Sequence, residues 1–447
     1  MKAIFTGLFL FVATAAGFSQ TVFDKAKADS LFDGLEKYNK AMGSVMVRQN
    51  GALVYSRSIG FRSDEGGNKL PNTDQTKFRI GSISKMFTSV LIFQQIEEGK
   101  LTLETKLSEY FPQLPNASLI TVDLLLTHGS GLHNFTDDKS YADIETKPQT
   151  HEQLLALFAK AKPDFVPGTK HEYSNTNFVL LGYILEKVTG KPYTELLTGK
   201  ILQPLGLTSS SYGSKIAPER EEAFSYAFEK GVWTKQTETD MSIPHGAGSV
   251  VSTPTDLAVF LEGLFNGKLL KKETLDKMTT LVGGYGHGIF KYPFKMRVAY
   301  GHGGAIDGFR SEASYFPDEK LAVTVCFNGL NYSQNTILIG ILSIYFNEPY
   351  ALPDFNAIKL TNAQLARYEG TFSAPGFPLK ITLKKSDGEL TAQATGQSAF
   401  TLDAANETDF SFMHAGIRMK MLLNGNKPIT GFHFSQGGTE LDFKRVK

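Results

Sequence analysis

The sequence predicts a mixed α/β (α+β) protein: one antiparallel sheet flanked by helices, a mostly helical insertion, and a small C-terminal antiparallel β-barrel. Three observations lead to this fold class. A β-hairpin pattern stands near the N-terminus, strand patterns return after about residue 298, and apolar residues alternate over roughly the last 85 residues. Because the pattern between about residues 100 and 280 is mostly helical, we expect both ends of the first unit to build one sheet, with the helices packed beside it.

The N-terminal hairpin is predicted over residues 43–61. Apolar and polar residues alternate there around Asn50-Gly51, a dipeptide that suits a tight turn because both residues tolerate positive φ angles. The next long element is a helix over residues 82–99. Its apolar residues cover most of the circumference, which predicts a buried helix, and Gly99 supplies a C-terminal stop.

Caps and turn residues indicate the elements that follow. Thr253 and Pro254 are typical of a helix start. The single cysteine, Cys326, lies in a strand pattern, so we interpret it as a buried structural thiol. Further helices are predicted over residues 177–189, 257–265 and 334–346, and a second hairpin from strands at 314–316 and 321–327.

The C-terminal region differs in pattern from the rest of the chain. Residues 347–361 hold two prolines and no clear period, which predicts a linker. Beyond it, turn residues separate groups of alternating apolar and polar residues, as is typical of an up-and-down β-barrel or a sandwich. The alternating apolar positions are Leu379, Ile381, Leu383, Phe410, Phe412, Ile417, Met419, Met421, Phe432, Phe434, Leu441 and Phe443.

The composition excludes several function classes. There are 46 Lys and Arg residues against 45 Asp and Glu residues, so no excess charge favours nucleic acid or an anionic membrane. A single cysteine rules out an intramolecular disulfide and cysteine-rich metal sites. The chain has no His-Glu-x-x-His motif and no phosphate-binding loop ending in Gly-Lys-Ser/Thr, and we predict neither a metal nor a cofactor.

The N-terminus is typical of an export signal. Lys2 is followed by an apolar run to Gly17 and then by Phe18-Ser19-Gln20, the order expected of a secretory signal peptide; a buried N-terminal helix is the alternative. The run is shorter than the roughly 20 residues that a membrane-spanning helix needs. We therefore predict a signal peptide over residues 1–19, a periplasmic or secreted protein, and no stable membrane insertion.

The first motif that can carry chemistry is Ser82-Ile83-Ser84-Lys85. A serine in the first turn of a buried helix has an unpaired backbone N–H, and a lysine three residues on lies on the same face. Burial would lower the pKa of that lysine, and a free amine can take the proton of the serine. The alternative is a capping serine beside a solvated lysine. A lysine inside a helix that is apolar nearly all round is costly without partners, which favours the functional interpretation.

The second motif is Tyr173-Ser174-Asn175, just before a predicted helix. In an extended loop, side chains two residues apart point the same way. A phenol at Tyr173 can shuttle protons, and an amide at Asn175 can hold a substrate carbonyl. The alternative is that Ser174 or Asn175 caps the helix.

The third motif is His302-Gly303-Gly304-Ala305, on or beside a predicted strand. Two glycines after the histidine allow a substrate backbone to lie close to the strand edge. The N–H of Ala305 can then point at a developing oxyanion. The alternative is a glycine-rich strand end without a catalytic role.

Taken in this order, Ser82-x-x-Lys85, Tyr173-x-Asn175 and His302-x-Gly304 resemble the three active-site motifs of the serine β-lactamase-like superfamily. The closer likeness is to the class C β-lactamase, D,D-peptidase and D-aminopeptidase branch, the peptidase family S12. The resemblance covers about residues 25–346 and implies a β-lactamase/penicillin-binding-protein-like fold there. The C-terminal unit resembles the lipocalin-like domains that some D-aminopeptidase relatives carry.

The resemblance implies a role for each matched residue. Ser82 would attack the substrate carbonyl and form an acyl-enzyme, with Lys85 and Tyr173 sharing the proton transfers. Asn175 would orient the substrate. The N–H groups of Ser82 and Ala305 would form the oxyanion hole.

His302 departs from the β-lactamase pattern, which has Lys-Thr-Gly at this place. His302 and Gly304 are still expected to contact substrate. A histidine can be neutral at pH 7, however, and Gly303 offers no hydroxyl to a substrate carboxylate. Efficient hydrolysis of β-lactam antibiotics is therefore not expected.

We expect an exported serine hydrolase that acts on amide or ester bonds of small substrates, such as D-amino-acid peptides, peptidoglycan-like peptides or esters. A true class C-type β-lactamase and a non-catalytic binding protein that keeps the fold are the alternatives. The sequence leaves the oligomeric state open. The predicted domain order is a signal peptide (1–19), a β-lactamase-like serine hydrolase domain (20–346), a linker (347–361) and a lipocalin-like β-barrel (362–447).

Overall fold

The computed structural model describes residues 23–355, 358–386, 388–395, 399–412, 416–436 and 439–446. The predicted signal peptide lies outside these residues. Within the described part of the chain, none of the helices combines the length and the apolar character that a bilayer crossing requires.

The helices lie mainly between the two groups of strands that the sequence predicts. A 3₁₀ turn, Gly81–Ile83, leads into the second helix, and a π-helical turn, Thr198–Leu202, connects the seventh and eighth. The α-helices are α1 (Lys25–Lys37), α2 (Ser84–Glu97), α3 (Val122–Leu126), α4 (Tyr141–Ile144), α5 (His151–Lys160), α6 (Asn175–Thr189), α7 (Tyr193–Leu197), α8 (Gln203–Leu205), α9 (His245–Gly248), α10 (Pro254–Phe265), α11 (Lys272–Thr279), α12 (Gln334–Tyr345) and α13 (Asn362–Leu365).

The strands before residue 346 form one large sheet and two small ones. They are β1 (Ala41–Gln49), β2 (Ala52–Ile59), β3 (Phe61–Glu65), β4 (Asn68–Pro71), β5 (Phe78–Arg79), β6 (Ser211–Tyr212), β7 (Tyr226–Glu229), β8 (Val232–Lys235), β9 (Val250–Ser252), β10 (Phe290–Phe294), β11 (Arg297–Ile306), β12 (Phe309–Phe316) and β13 (Leu321–Leu330).

The large sheet has the strand order β10-β11-β12-β13-β1-β2, and each neighbouring pair in this order is antiparallel. The hairpin of β7 and β8 joins it through a parallel pairing of β7 with β13. The two N-terminal strands thus lie beside the last four strands of this unit, which confirms the predicted antiparallel sheet. The first hairpin turns at Asn50 and Gly51, whose φ angles of 49° and 82° are both positive, as predicted.

Helices cover both faces of the large sheet. On one face α1 and α12 pack against the strands and bury residues such as Phe32 and Ile341. On the other face lie α2, α6 and α10, and the rings of Phe87 and Phe260 stack there at a centroid distance of 3.9 Å. Each fully buried apolar side chain of this kind contributes about 1.5–3 kcal/mol of stability. Because α2 is buried nearly all round, most of its polar residues, among them Lys85 and Thr88, lie inside the protein, and only Gln94 and Glu97 are half-buried.

The caps and the cysteine behave as the sequence predicts. The Thr253 side chain accepts a hydrogen bond from the N–H of Asp256, and Pro254 is the first residue of α10, so this helix starts three residues before the predicted 257–265 segment. Cys326 is a free, fully buried thiol on β13. Burial raises the pKa of this thiol, so it is an unreactive core residue.

The C-terminal strands close into a barrel, which confirms the prediction of a small antiparallel β-barrel. Its interior holds the alternating apolar residues, among them Leu383, Met419 and Phe432. Leu379 is the exception, because it precedes the strand that begins at Ile381 and is not part of this core. The strands β14, β16 and β17 were not singled out from the sequence, because each carries few large apolar residues. The barrel strands are β14 (Gly370–Ser373), β15 (Ile381–Ser386), β16 (Glu389–Ala394), β17 (Phe400–Ala404), β18 (Asp409–Phe412), β19 (Ile417–Asn424), β20 (Lys427–Gln436) and β21 (Thr439–Arg445).

Among the described residues, neither a helix nor a strand lies between the end of α12 and the start of α13. This segment overlaps the predicted linker. The domain boundaries themselves stay a prediction.

Candidate active site

Ser82 lies in the 3₁₀ turn that leads into α2. The chain just before it is fixed, because β5 pairs with β9 and the N–H of Ile80 donates to the carbonyl of Val250 at 3.1 Å. Gly81 has a φ of 53°, in the left-handed region that favours glycine. The sequence predicted an α-helix from residue 82, and the tighter turn at this point places Ser82 half-buried at the mouth of a cleft.

Strand β11 passes very close to the turn that carries Ser82. A Cβ atom on Gly304 would stand 1.9 Å from the carbonyl oxygen of Ile80, and one on Gly81 would stand 2.8 Å from the backbone nitrogen of Ala305. The Ser311 hydroxyl donates to the same Ile80 carbonyl at 2.9 Å. Glycine at position 304 therefore allows the backbone around Ser82 and the backbone at Ala305 to meet at one edge of the cleft.

The Lys85 amine is fully buried and bonded to three oxygen atoms. Its Nζ lies 2.8 Å from Ser82 Oγ, 2.8 Å from Asn175 Oδ1 and 2.9 Å from the carbonyl of Ala247. Burial holds the pKa of Lys85 well below its usual value. A neutral amine has two N–H groups and one lone pair. The three oxygens could accept from an ammonium as well, so it is the lowered pKa that favours the neutral amine, whose lone pair can then accept the proton of the Ser82 hydroxyl.

The Tyr173 hydroxyl donates a hydrogen bond to Ser82 Oγ at 2.7 Å. Burial raises the pKa of Tyr173, so the ring carries a neutral phenol in this state. The loop that holds it is tied to His128, whose Nδ1 accepts from the N–H of Ser174 at 3.2 Å and whose ring lies 4.5 Å from the Tyr173 ring. Ser82 therefore has hydrogen-bonding partners at both Lys85 and Tyr173.

Asn175 is the first residue of α6 and connects the lysine to the far wall of the cleft. Its Oδ1 accepts from Lys85, and its Nδ2 donates to Thr136 Oγ1 at 3.0 Å. The N–H of Asn175 donates to Asn134 Oδ1 at 2.9 Å. The Ser174 side chain, which the sequence offered as a possible helix cap, makes no capping bond.

His302 lies on β11 but is buried, with 3% of its surface exposed. Its ring packs against Phe290, at a centroid distance of 4.8 Å, and 6.4 Å from the ring of Tyr173. Its Nδ1 hydrogen-bonds to the carbonyl of Gly303. Burial lowers the pKa of His302 to about 3, with a further contribution from Lys85, so the imidazole is neutral at pH 7.

The cleft beside Ser82 has a volume of about 400 Å³. Of the seven residues singled out from the sequence, Ser82, Asn175 and Ala305 line it directly. Lys85 and Tyr173 contact Ser82, and Gly304 contacts the turn before it. His302 lies among buried rings and is not part of the lining. The other residues of the lining are Gly81, Phe135, Thr136, Tyr141, Glu145, Gln236, Thr237, Thr239, Pro244, Ala247, Gly248, Ile306, Asp307 and Arg310.

Several groups that build this site were missed from the sequence. The carbonyl of Ala247 is one of the three partners of Lys85. It is a backbone group on a short helix far away in the chain, so no sequence motif indicates it. Asn134 and Thr136 hold Asn175 from a loop some forty positions away in the chain. Arg310 lines the cleft next to Asp307, whose carboxylate is already paired with Arg79 at 2.9 Å.

A family model described as Beta-lactamase matches residues 28–338 of the chain. The match spans more than half of the 447 residues, and the chain therefore belongs to the Beta-lactamase family. Together with the fold and its relatives, this membership makes the protein a hydrolase of the β-lactamase fold, in the serine hydrolase class.

The relatives include enzymes that act on D-amino-acid derivatives. The chain is 30% identical over 264 residues to a teichoic acid D-alanine hydrolase of Staphylococcus aureus (strain MRSA252), covering 58% of this chain and 62% of that protein. It is 26% identical to the solved D-amino acid amidase of Ochrobactrum anthropi SV3 in complex with L-phenylalanine amide. That structure has a TM-score of 0.64, and the match covers 72% of this chain and 99% of the amidase.

A third relative extends over the C-terminal barrel as well. The structure of an octameric penicillin-binding protein homologue from Pyrococcus abyssi has a TM-score of 0.67 and 25% identity. The match covers 94% of this chain and 100% of the Pyrococcus abyssi chain. The combination of a β-lactamase-like unit with a C-terminal barrel therefore has a counterpart among solved proteins.

Proposed function

We propose that the protein is an exported serine hydrolase that cleaves ester or amide bonds of small D-aminoacyl or peptide substrates through an acyl-enzyme on Ser82. The observation that carries the proposal is the position of Ser82 Oγ, 2.8 Å from the amine of the fully buried Lys85 and 2.7 Å from the hydroxyl of the half-buried Tyr173. A hydroxyl with a neutral amine in hydrogen-bond reach is an activated nucleophile. The N-terminal sequence pattern supports export.

In the first half of the reaction, Ser82 Oγ attacks the substrate carbonyl carbon and its proton passes to the Lys85 amine. The negative charge that develops on the carbonyl oxygen is held by the N–H groups of Ser82 and Ala305, which the close approach of β11 brings to one edge. The bond to the leaving group then breaks. The leaving group takes a proton from the Lys85 and Tyr173 pair, which yields the acyl-enzyme.

In the second half, water attacks the ester carbonyl of the acyl-enzyme. Lys85 and Tyr173 accept the proton of the water and return one to Ser82 Oγ as the ester bond breaks. Asn175 orients the bound acyl group from the cleft wall while its Oδ1 keeps Lys85 in place. The substrate and one water molecule supply the atoms of the products, and side chains of the protein carry the protons between them.

The substrate class follows from the chemistry of the cleft and from the relatives. The cleft volume of about 400 Å³ suits a small acyl group rather than a folded protein. A teichoic acid D-alanine hydrolase and a D-amino acid amidase are among the similar proteins, and both enzymes are named for D-amino-acid compounds. A class C-type β-lactamase is less well supported, because buried, neutral His302 supplies no cation where β-lactamases have lysine.

A substrate panel on the purified mature protein tests this proposal. We expect turnover of D-alanyl p-nitroanilide and of a D-alanyl ester, slower turnover of the L-alanyl compounds, and little turnover of a chromogenic cephalosporin. A Ser82→Ala variant of the same protein is the control for background hydrolysis. Turnover of the cephalosporin alone supports the β-lactamase instead, and tight binding of all compounds without turnover supports a binding protein.

A further inference from the structure

Three side chains outside the cleft bring metal-binding atoms together. His151 is the first residue of α5, Glu186 lies near the end of α6, and His245 is the first residue of α9. One ring nitrogen from each histidine and one carboxylate oxygen lie within 4.8 Å of one another. The three residues lie far apart in the chain and form no short motif, so the sequence alone does not indicate the cluster.

The distances do not fit ordinary hydrogen bonds. Glu186 Oε2 lies 3.5 Å from His151 Nδ1 and 3.9 Å from His245 Nε2, both longer than a good hydrogen bond. A tetrahedral zinc ion with bonds of about 2.0–2.1 Å separates its ligand atoms by about 3.3–3.4 Å. The two distances to Glu186, 3.5 and 3.9 Å, exceed that spacing by about 0.1–0.6 Å, and all three atoms lie within 4.8 Å of one another, so the side chains would have to move closer together around an ion.

The buried histidine presents a free lone pair to the cluster. The Tyr212 hydroxyl donates to the carbonyl of Met241 at 2.8 Å, so the contact of 3.2 Å between that hydroxyl and His245 Nδ1 needs the proton on Nδ1. His245 Nε2 is then unprotonated, and it has no hydrogen-bond partner among the residues that the structure describes. His245 is 4% exposed, so water does not readily satisfy this atom.

The Glu186 carboxylate is also held in a fixed orientation by a backbone group. Glu186 Oε1 accepts a hydrogen bond from the N–H of Tyr193 at 2.8 Å, which leaves Oε2 facing the two imidazoles. Fixed outer partners of this kind are typical of metal ligands, because they set the ring tautomer and hold the carboxylate in place. Among the described residues, the two imidazoles lie within 4.0 Å of the Glu186 carboxylate, and no lysine or arginine nitrogen does.

The cluster is open to solvent at His151 and closed at His245. The His151 side chain is 46% exposed, whereas that of His245 is 6% exposed. Gly182 on α6 makes room for the buried ring, because a Cβ atom there would stand 2.8 Å from His245 Cδ2. An ion can enter beside His151, and solvent can fill a fourth ligand position there.

We propose that His151, Glu186 and His245 form a binding site for one Zn²⁺ ion, separate from the cleft at Ser82. Two imidazoles and a carboxylate are a known ligand set for zinc, and neutral imidazole with carboxylate prefers zinc to magnesium or calcium. The ion would fix the start of α9, the helix whose Ala247 carbonyl accepts from Lys85 and whose Gly246 carbonyl accepts from Thr88 at 2.6 Å. The site is thus a positioning site for the helix behind the lysine.

Zinc titration of the tag-free, chelator-treated full-length mature protein tests this proposal. We expect one Zn²⁺ per chain in competition with a chromophoric chelator, a rise in melting temperature on loading, and visible absorption from a four-coordinate ion when Co²⁺ replaces Zn²⁺. His151→Ala and Glu186→Gln should each weaken zinc binding at least about tenfold. Circular dichroism of each variant checks that the fold is kept.

His433→Ala is the matched control. The His433 side chain on the barrel is 42% exposed and lies 2.9 Å from the Asp442 carboxylate and 3.8 Å from that of Glu440. It is thus similar to His151 in exposure and pairing, but among the described residues it belongs to no group of three ligand atoms as close together as those of His151, Glu186 and His245. This variant should bind zinc as the unchanged protein does. The proposal is wrong if the unchanged protein binds no zinc, if His151→Ala binds it equally well, or if His433→Ala removes the binding.

Discussion

Substitution of Gly304 by alanine tests the link between strand packing and the oxyanion hole. The added Cβ atom would stand 1.9 Å from the Ile80 carbonyl oxygen and 2.5 Å from Ser311 Oγ. An ordinary contact lies between 3.4 and 4 Å. The Ile80 carbonyl is part of a backbone held by β9, so β11 is the element that must move, by about 1.5 Å at this point.

The expected loss of acylation rate follows from that displacement of β11. Ala305 is the next residue on β11, so its N–H moves with Gly304 away from the carbonyl oxygen it is proposed to hold. A misplacement of about 1 Å lowers a rate by about 10²-fold, and loss of one oxyanion donor by about 10²–10³-fold. Overpacking also lowers the free energy of unfolding by about 1–3 kcal/mol. We expect acylation to fall by about 10²-fold or more in a protein that still folds.

The assay is the second-order rate constant for acylation by a fluorophosphonate, measured beside thermal unfolding. Gly303→Ala is the control, because its Cβ atom would meet only the end of the Glu312 side chain at 3.0 Å and a carbonyl at 3.8 Å. We expect that control to retain acylation within about threefold of the unchanged protein. The reasoning fails if Gly304→Ala acylates at the unchanged rate, or if Gly303→Ala loses as much.

Three further predictions concern the groups around Ser82. Tyr173→Phe removes the hydroxyl at 2.7 Å from Ser82 Oγ and should lower the acylation rate about 10²-fold without unfolding the protein, as stopped-flow kinetics and circular dichroism can check. Because burial lowers the pKa of Lys85, the acylation rate should rise with pH through that lowered pKa and stay level above it; a rate that still rises near the usual value of 10.5 contradicts the assignment. The unfolded chain then binds the proton more tightly than the folded protein does, so stability measured by urea unfolding should rise with pH between the lowered pKa and the usual value of 10.5. Arg310→Ala removes a cation from the cleft lining and should raise KM severalfold for substrates with a free carboxylate, but not for neutral esters; equal KM changes for both classes refute this role.

Local patterns predicted the parts of the fold that local chemistry decides. The turn at Asn50 and Gly51 needs two positive φ angles, and the dipeptide alone indicates it. The alternating barrel positions, such as Met419 and Phe432, face inward because a strand has a period of two. A lysine on an all-round apolar helix had to be buried, and Lys85 is.

The features of the fold and the site that the sequence did not predict depend on contacts between distant segments. Nothing in the sequence near Lys85 indicates that the Ala247 carbonyl completes its hydrogen bonds. The motif at His302 resembles a substrate-contacting strand, yet packing against Phe290 places the ring in the interior, since neighbouring elements decide which face of β11 is covered. Weak strands such as β14 form because the barrel must close, and their own sequence gives little signal.

The central claim is that Ser82 is the nucleophile that forms the acyl-enzyme. The most direct measurement is intact-protein mass spectrometry after reaction with a fluorophosphonate, followed by peptide mapping of the adduct. We predict one adduct per chain, located on Ser82, and no adduct on a folded Ser82→Ala variant. An adduct on another residue, or equal labelling of the Ser82→Ala variant, would contradict the claim.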